Sequence, residues 1–159
     1  MISPRNGTTG TADGTRTSPH GSETGTTVRR DDSVAIRQLS AEWLRAERGR
    51  DLGKLMTLVT DDVVFLRPHA DALEGRQAVE DFYRQVFSGF ALEHTSHPRE
   101  LRINGDWAFQ LSDEEYTLTP LGDGATFHFT GNGMSIIRRG TDGAWRFARA
   151  ITNALPHRT

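Results

Sequence analysis

The chain has no cysteine, so disulfides, thiol nucleophiles and thiolate metal sites are all excluded. Apolar residues make up only 35% of it, a low share for a globular protein. Much of that shortage sits in the first thirty residues, where Gly, Ser, Thr and Pro abound and Ile2 and Val28 are the only bulky aliphatics. Such a segment cannot bury enough surface to offset the entropy of ordering, so residues 1–30 are expected to form a disordered tail. The tail also lacks the apolar run of roughly 7–15 residues that a secretory leader needs. No other window approaches the ~18 apolar residues of a membrane span. A soluble, cytoplasmic protein without membrane partners is the expectation. Lys54 is the sole lysine, beside eighteen arginines. The tail carries a balance of +2 and the remainder −4, and a mildly acidic domain is a poor match for a phosphate backbone. Nucleic acid is therefore not an expected partner.

What is present begins at Asp31. Ile36, Leu39, Trp43 and Leu44 recur at helical spacing behind Asp31, Asp32 and Ser33. Leu52, Leu55, Met56 and Val59 repeat the pattern behind a cap at Asp51. Val63-Val64-Phe65-Leu66 reads as a strand stopped by Pro68. Gly75 opens a third helix with Val79, Phe82, Tyr83, Val86 and Phe90 on one face. Four extended segments follow, about 92–103, 107–119, 125–139 and 144–153. Asn-Gly and Asp-Gly turns separate them, so they predict an antiparallel meander. Helices segregated from such a sheet mean an α+β fold over residues 31–155.

Several residues offer chemistry. Arg67, at a strand end, is a candidate to bind a carboxylate, phenolate or enolate oxygen. Trp43 offers an indole N–H, and Tyr83 carries a hydroxyl on an apolar helix face that needs a partner if buried. His128, Thr130, Asn132 and Met134 share one strand face; Phe127, Phe129 and Gly131 share the other. If the first set faces inward, His128 is an acid/base candidate and Asn132 an orienting donor. Gln110, Ser112, Glu114 and Tyr116 share a face too; a carboxylate of Asp113-Glu114-Glu115 that reached the pocket would be a base candidate, although the run reads as a solvated rim. His94 and His97 lie three apart in a strand, which puts them on opposite faces and argues against a shared metal. Gly131-Asn132-Gly133 reads as a bulge or bend. No phosphate loop or dinucleotide fingerprint occurs, and neither metal nor cofactor is expected.

The stretch from Arg50-Asp51-Leu52 through Thr60-Asp61-Asp62-Val63-Val64-Phe65-Leu66-Arg67-Pro68, followed by Gly75-Arg76 and Phe82-Tyr83-Arg84-Gln85, resembles the nuclear transport factor 2-like superfamily. Ala144-Trp145-Arg146-Phe147-Ala148-Arg149 carries the same likeness. Within that group the chain is most similar to ketosteroid isomerases and SnoaL-like proteins, including small proteins of polyketide and enediyne antibiotic pathways. The resemblance spans about residues 31–153. It implies a cone-shaped half-barrel, three helices on a curved and mostly antiparallel sheet, a deep apolar pocket and a homodimer joined through the outer sheet face. It also shows departures. Arg67 stands where a ketosteroid isomerase has its aspartate base, Trp43 where it has its oxyanion tyrosine, and Gly133 or Met134 where it has its acid. The usual steroid isomerisation is therefore not expected. The expected function is binding of a small, apolar, polyketide-like intermediate, as an accessory protein or a cofactor-free isomerase, cyclase or dehydratase. His128 or Tyr116 would be its acid/base, Arg67 or Tyr83 its oxyanion donor, and Trp43, Phe65, Phe82, Gln110, Asn132 and Met134 its ligand contacts. The alternative is a non-catalytic protein that shields the intermediate or docks biosynthetic enzyme partners, a reading favoured by the missing catalytic residues.

Overall fold

Helix α1, Arg30–Arg48, opens the computed structural model, which describes residues 30–157; the expected tail thus lies outside the described residues, apart from Arg30. The apolar stripe Ile36, Leu39, Trp43 and Ala46 is buried, as the 3.6-residue period requires. Arg50 takes a left-handed φ of 55°, and the chain turns into the short helix α2, Leu52–Thr57. The Asp51 side chain caps it by accepting from the Lys54 N–H at 2.9 Å. Strand β1, Val59–Leu66, comes next, then the two-residue β2, Leu73–Glu74, and α3, Gly75–Gly89. Gly75 has φ +83°, a conformation that needs glycine at this strand-to-helix joint.

The meander consists of β3 Phe90–Asn104, β4 Trp107–Pro120, β5 Phe127–Arg139 and β6 Trp145–Thr152, with a two-residue β7, Leu155–Pro156, folded back on β5. The sheet order is β2-β1-β6-β5-β4-β3. Every pairing is antiparallel except β1 with β6, which is parallel. The sheet is open, and the three helices pack on its concave face. The fold is thus α+β, a curved half-barrel with helical cover.

Pairing sets which side chains meet the helices. Gln110 lies opposite Ser135, Ser112 opposite Gly133, and Tyr116 opposite both His94 and Phe129. A register shift at Pro98–Glu100 bends β3, which is where a residue without an N–H interrupts a ladder. The core joins Trp43 edge-on to Phe65, Tyr83 and Phe147, with centroids 5.8, 5.7 and 5.3 Å away. Arg139 ties the start of α1 to the end of β5 through the buried Asp32 at 2.8 Å, its guanidinium lying over Trp145. Among the described residues no helix is long and apolar enough to cross a membrane.

Candidate functional site

Helices and concave sheet enclose a cavity of about 320 Å3. Its walls are mainly apolar and aromatic: Trp43, Phe65, Phe82, Leu92, Phe129 and Phe147 all contribute. It opens where Leu66 and Ile151 are 43% and 41% exposed. Arg67 stands on the same lining, its guanidinium 4.5 Å from the Phe82 ring centroid.

A set of ionisable groups is built into the apolar wall. Glu47 continues the buried stripe of α1 one turn past Trp43, and it is 1% exposed. Its Oε2 lies 2.6 Å from His94 Nδ1 on β3. The other nitrogen of that ring, Nε2, lies 2.6 Å from Glu114 Oε2 on β4. Tyr83 donates its hydroxyl to Glu47 Oε1 at 2.6 Å. Ser96 donates to Glu114 Oε1 at 3.0 Å, and Ser112 donates to the same oxygen. Tyr116 stacks on the imidazole, centroids 4.2 Å apart and planes 20° apart, and shares a hydrogen bond with Thr152. All these residues but Ser112 line the cavity.

The electrostatics follow from burial and pairing. Burial acts on His94 first and disfavours the imidazolium, but the hydrogen bonds and charges of Glu114 and Glu47 outweigh it and raise the pKa from 6.5 to about 9. At neutral pH His94 is therefore an imidazolium, held between Glu47 and Glu114. Burial, then the nearby carboxylate charges, pushes both phenols up: Glu47 acts most on Tyr83 and Glu114 most on Tyr116. Both tyrosines are therefore neutral hydrogen-bond donors. The two carboxylates approach the imidazole from opposite sides, so they do not converge on a common point. Among the described residues no group of His, Asp and Glu is arranged to hold a metal ion.

The residues singled out from sequence divide by sheet face. Trp43, Phe65, Phe82, Tyr83, Gln110, Tyr116 and Arg67 all line the cavity. Asn132, Met134 and His128 do not. Their face of β5 points outward, where the Asn132 amide bonds Asp113 at 2.8 Å, Met134 is 38% exposed and His128 bonds Thr117 at 3.1 Å. The set that faces inward is Phe129, Gly133 and Ser135. Glu114 is buried rather than part of a solvated rim, and His94 faces in while His97 is exposed. Of the three buried ionisable residues in the cluster, Glu47 is not singled out from sequence, His94 is weighed only beside His97, and Glu114 is read as rim. Their signals were the continuation of the α1 stripe and strict alternation with Leu92 on β3 and with Ala108 and Gln110 on β4.

Cavity, concave sheet and buried acid/base cluster together define a cone-shaped pocket protein of the α+β class. The family model of the SnoaL-like domain matches residues 41–149. The chain belongs to that family. A conserved protein from Planctomyces limnophilus is 32% identical with a TM-score of 0.77, over 81% of this chain and 100% of that one. A ketosteroid isomerase-like protein from Erwinia carotovora atroseptica is 24% identical with a TM-score of 0.71, over 79% and 98%. A hexachlorocyclohexane dehydrochlorinase shares the fold at 18% identity and a TM-score of 0.67, over 80% and 90%. No curated protein matches the chain in sequence.

Proposed function

We propose that the protein is a cofactor-free proton-transfer enzyme acting on a small, apolar, ring-bearing carbonyl compound of polyketide type, by isomerisation, cyclisation or dehydration. The observation that carries this reading is the Glu47–His94–Glu114 cluster in the wall of an apolar cavity. Burying three ionisable groups is a poor way to gain stability, because desolvation cancels most of the attraction. Strongly perturbed titration inside a cavity is, by contrast, what acid/base chemistry needs. Aromatic walls at Trp43, Phe65, Phe82 and Phe129 suit flat conjugated rings, and the cavity falls in the size range of small-molecule sites. Tyr116 and the Gln110 amide are donors for a developing enolate oxygen, and Arg67 serves an anionic substituent near the opening. Proteins of the same fold named as ketosteroid isomerase-like and as a dehydrochlorinase are in keeping with proton-transfer chemistry.

A second copy of the chain would pack on the convex sheet face, where Trp107, Phe109 and Met134 are exposed. We place the enzyme in the cytoplasm of a cell that makes secondary metabolites, beside the enzymes that supply its substrate.

The test uses 2-tetralone, a bicyclic ketone with acidic α C–H bonds, in D2O. Loss of its α-proton NMR signal should run at least 100-fold faster with the protein than with buffer alone. Saturable binding without exchange would leave a carrier that shields its ligand and would end the enzymatic reading.

A further inference from the structure

The imidazole at the centre of this cluster has no lone pair to offer. Nδ1 faces Glu47 and Nε2 faces Glu114, each at 2.6 Å, so both nitrogens carry protons when both acids are ionised. A base that takes a proton from a bound molecule must therefore be one of the carboxylates. Glu47 is closed in, its side chain 1% exposed, with one oxygen held by Tyr83 and the other by His94. Glu114 is the more open, at 8%. Its Oε1 is steadied by the hydroxyls of Ser96 and Ser112 and lies beside Gly133 on β5. A Cβ on Gly133 would stand 2.8 Å from that oxygen and 3.0 Å from Glu114 Cγ. The missing side chain leaves the space in which the carboxylate rests.

Resting on the proton-transfer reading above, we infer that Glu114 is the group that exchanges the proton with the bound molecule, that Gly133 positions it, and that His94 is a fixed imidazolium relay rather than the base. In the forward step the C–H bond breaks and its proton passes to a Glu114 carboxylate oxygen. The electron pair moves into the ring to form an enolate, whose oxygen accepts a hydrogen bond from Tyr116 or Gln110. In the return step the Glu114 carboxylic acid delivers a proton to carbon, so no oxidant or reductant is needed. Three groups meet the imidazolium, Glu47 from α1 and Glu114 and Tyr116 from β4, while Tyr83 from α3 bonds Glu47 behind it. A proton taken up at Glu114 can thus be balanced by transfer of the Nδ1 proton to Glu47, which spreads the charge change along the chain.

Two measurements test this. The first needs no ligand: in protein labelled with 15N-histidine, assigned through loss of the signal in His94→Gln, both ring nitrogens of His94 should carry protons at pH 7. In Gly133→Ala the Nε2–H resonance should move while Nδ1–H stays, because only the Glu114 contact is disturbed. The three heavy atoms nearest the new methyl all belong to the Glu114 side chain, and a far-ultraviolet circular dichroism spectrum matching the wild type shows that the variant folds. The second is the deuterium exchange of 2-tetralone. Glu114→Gln should lower it at least 100-fold, and Gly133→Ala about 100-fold through displacement of the base. Glu47→Gln should cost less than Glu114→Gln. A His94 ring with one bare nitrogen at pH 7 would overturn the relay. Wild-type exchange in Glu114→Gln, or a larger loss in Glu47→Gln, would overturn the role of Glu114 while leaving proton transfer in place. Absence of exchange in the wild type would instead remove the proton-transfer reading, and this inference with it.

Discussion

Raising the pH should unfold this protein earlier than its composition suggests, because His94 is held charged in the folded state. Its pKa rises from 6.5 to about 9 on folding. A group whose pKa is raised on folding contributes its full stability below the unfolded value. That contribution disappears as the pH climbs through the folded value. Here the window runs from about 6.5 to just above 9. At roughly 1.4 kcal/mol per tenfold change in proton affinity, the whole contribution is about 3 kcal/mol. Some 2 kcal/mol of it, on the order of a quarter of a typical domain's stability, should be lost between pH 7 and 9.5.

Urea unfolding followed by tryptophan fluorescence reads this directly. With a slope of about 1–3 kcal/mol per molar, the midpoint should fall by roughly 1 M across that interval. His97 and His128 are exposed and supply the control, since replacing either with Gln should leave the fall intact. Replacing His94 with Gln should abolish it and lower stability at pH 7, where two buried carboxylates lose their shared cation. A wild-type midpoint that stays flat from pH 7 to 9.5 would refute the reasoning. It would mean that His94 is neutral when folded and that one of its acids carries the proton.

Tyr83→Phe removes the hydroxyl bonded to Glu47 and leaves a buried carboxylate oxygen unpaired; we expect a loss of about 1–3 kcal/mol in chemical unfolding, with the aromatic cluster otherwise intact. Gly131→Ala should be more destabilising than Gly133→Ala in thermal melts, because its Cβ would stand 2.6 Å from the Ala154 Cα, a backbone atom that cannot swing aside. Phe109→Arg on the convex face should leave the fold unchanged and shift light scattering from dimer to monomer; an unchanged molecular mass would place any dimer contact elsewhere.

The architecture was legible because it rests on local chemistry. All four meander strands begin and end within about two residues of their expected limits, since Gly105, Gly124 and Gly143 provide the positive φ of the turns between them. The parallel pairing of β1 with β6 was not legible. It joins residues more than eighty positions apart, and no local pattern encodes that choice. The inward face of β5 was left open for a related reason, and the candidates His128, Asn132 and Met134 fall on the outward one. Alternation separates His128, Asn132 and Met134 from Phe129 and Gly131, but it does not say which set faces in. Polarity, the usual guide, is unhelpful when Met134 and Ile136 face outward and Gly133 and Ser135 line the cavity.

The acid/base cluster escaped notice because polarity was read as exposure. Glu114 lies within three consecutive acids, and such a run ordinarily means solvent. Yet in a strand neighbouring side chains point to opposite faces, so the run places Glu114 inward and leaves Glu115 exposed. His94 was weighed only as a partner for His97, a pairing that the same alternation forbids. Judged alone, it shares a face with the buried Leu92, which points it at the core. Glu47 shows the pattern most plainly, for it falls four residues after Trp43 and eight after Leu39, both buried and apolar. Each of these groups would be costly to bury by itself. Their registers bring both acids to 2.6 Å from His94, and the pairing makes burial of all three possible. A polar residue at an apolar phase of its element, with a complementary one at the matching phase of another, is thus the sequence signal for such a site. It becomes readable once the fold supplies the register between β3 and β4.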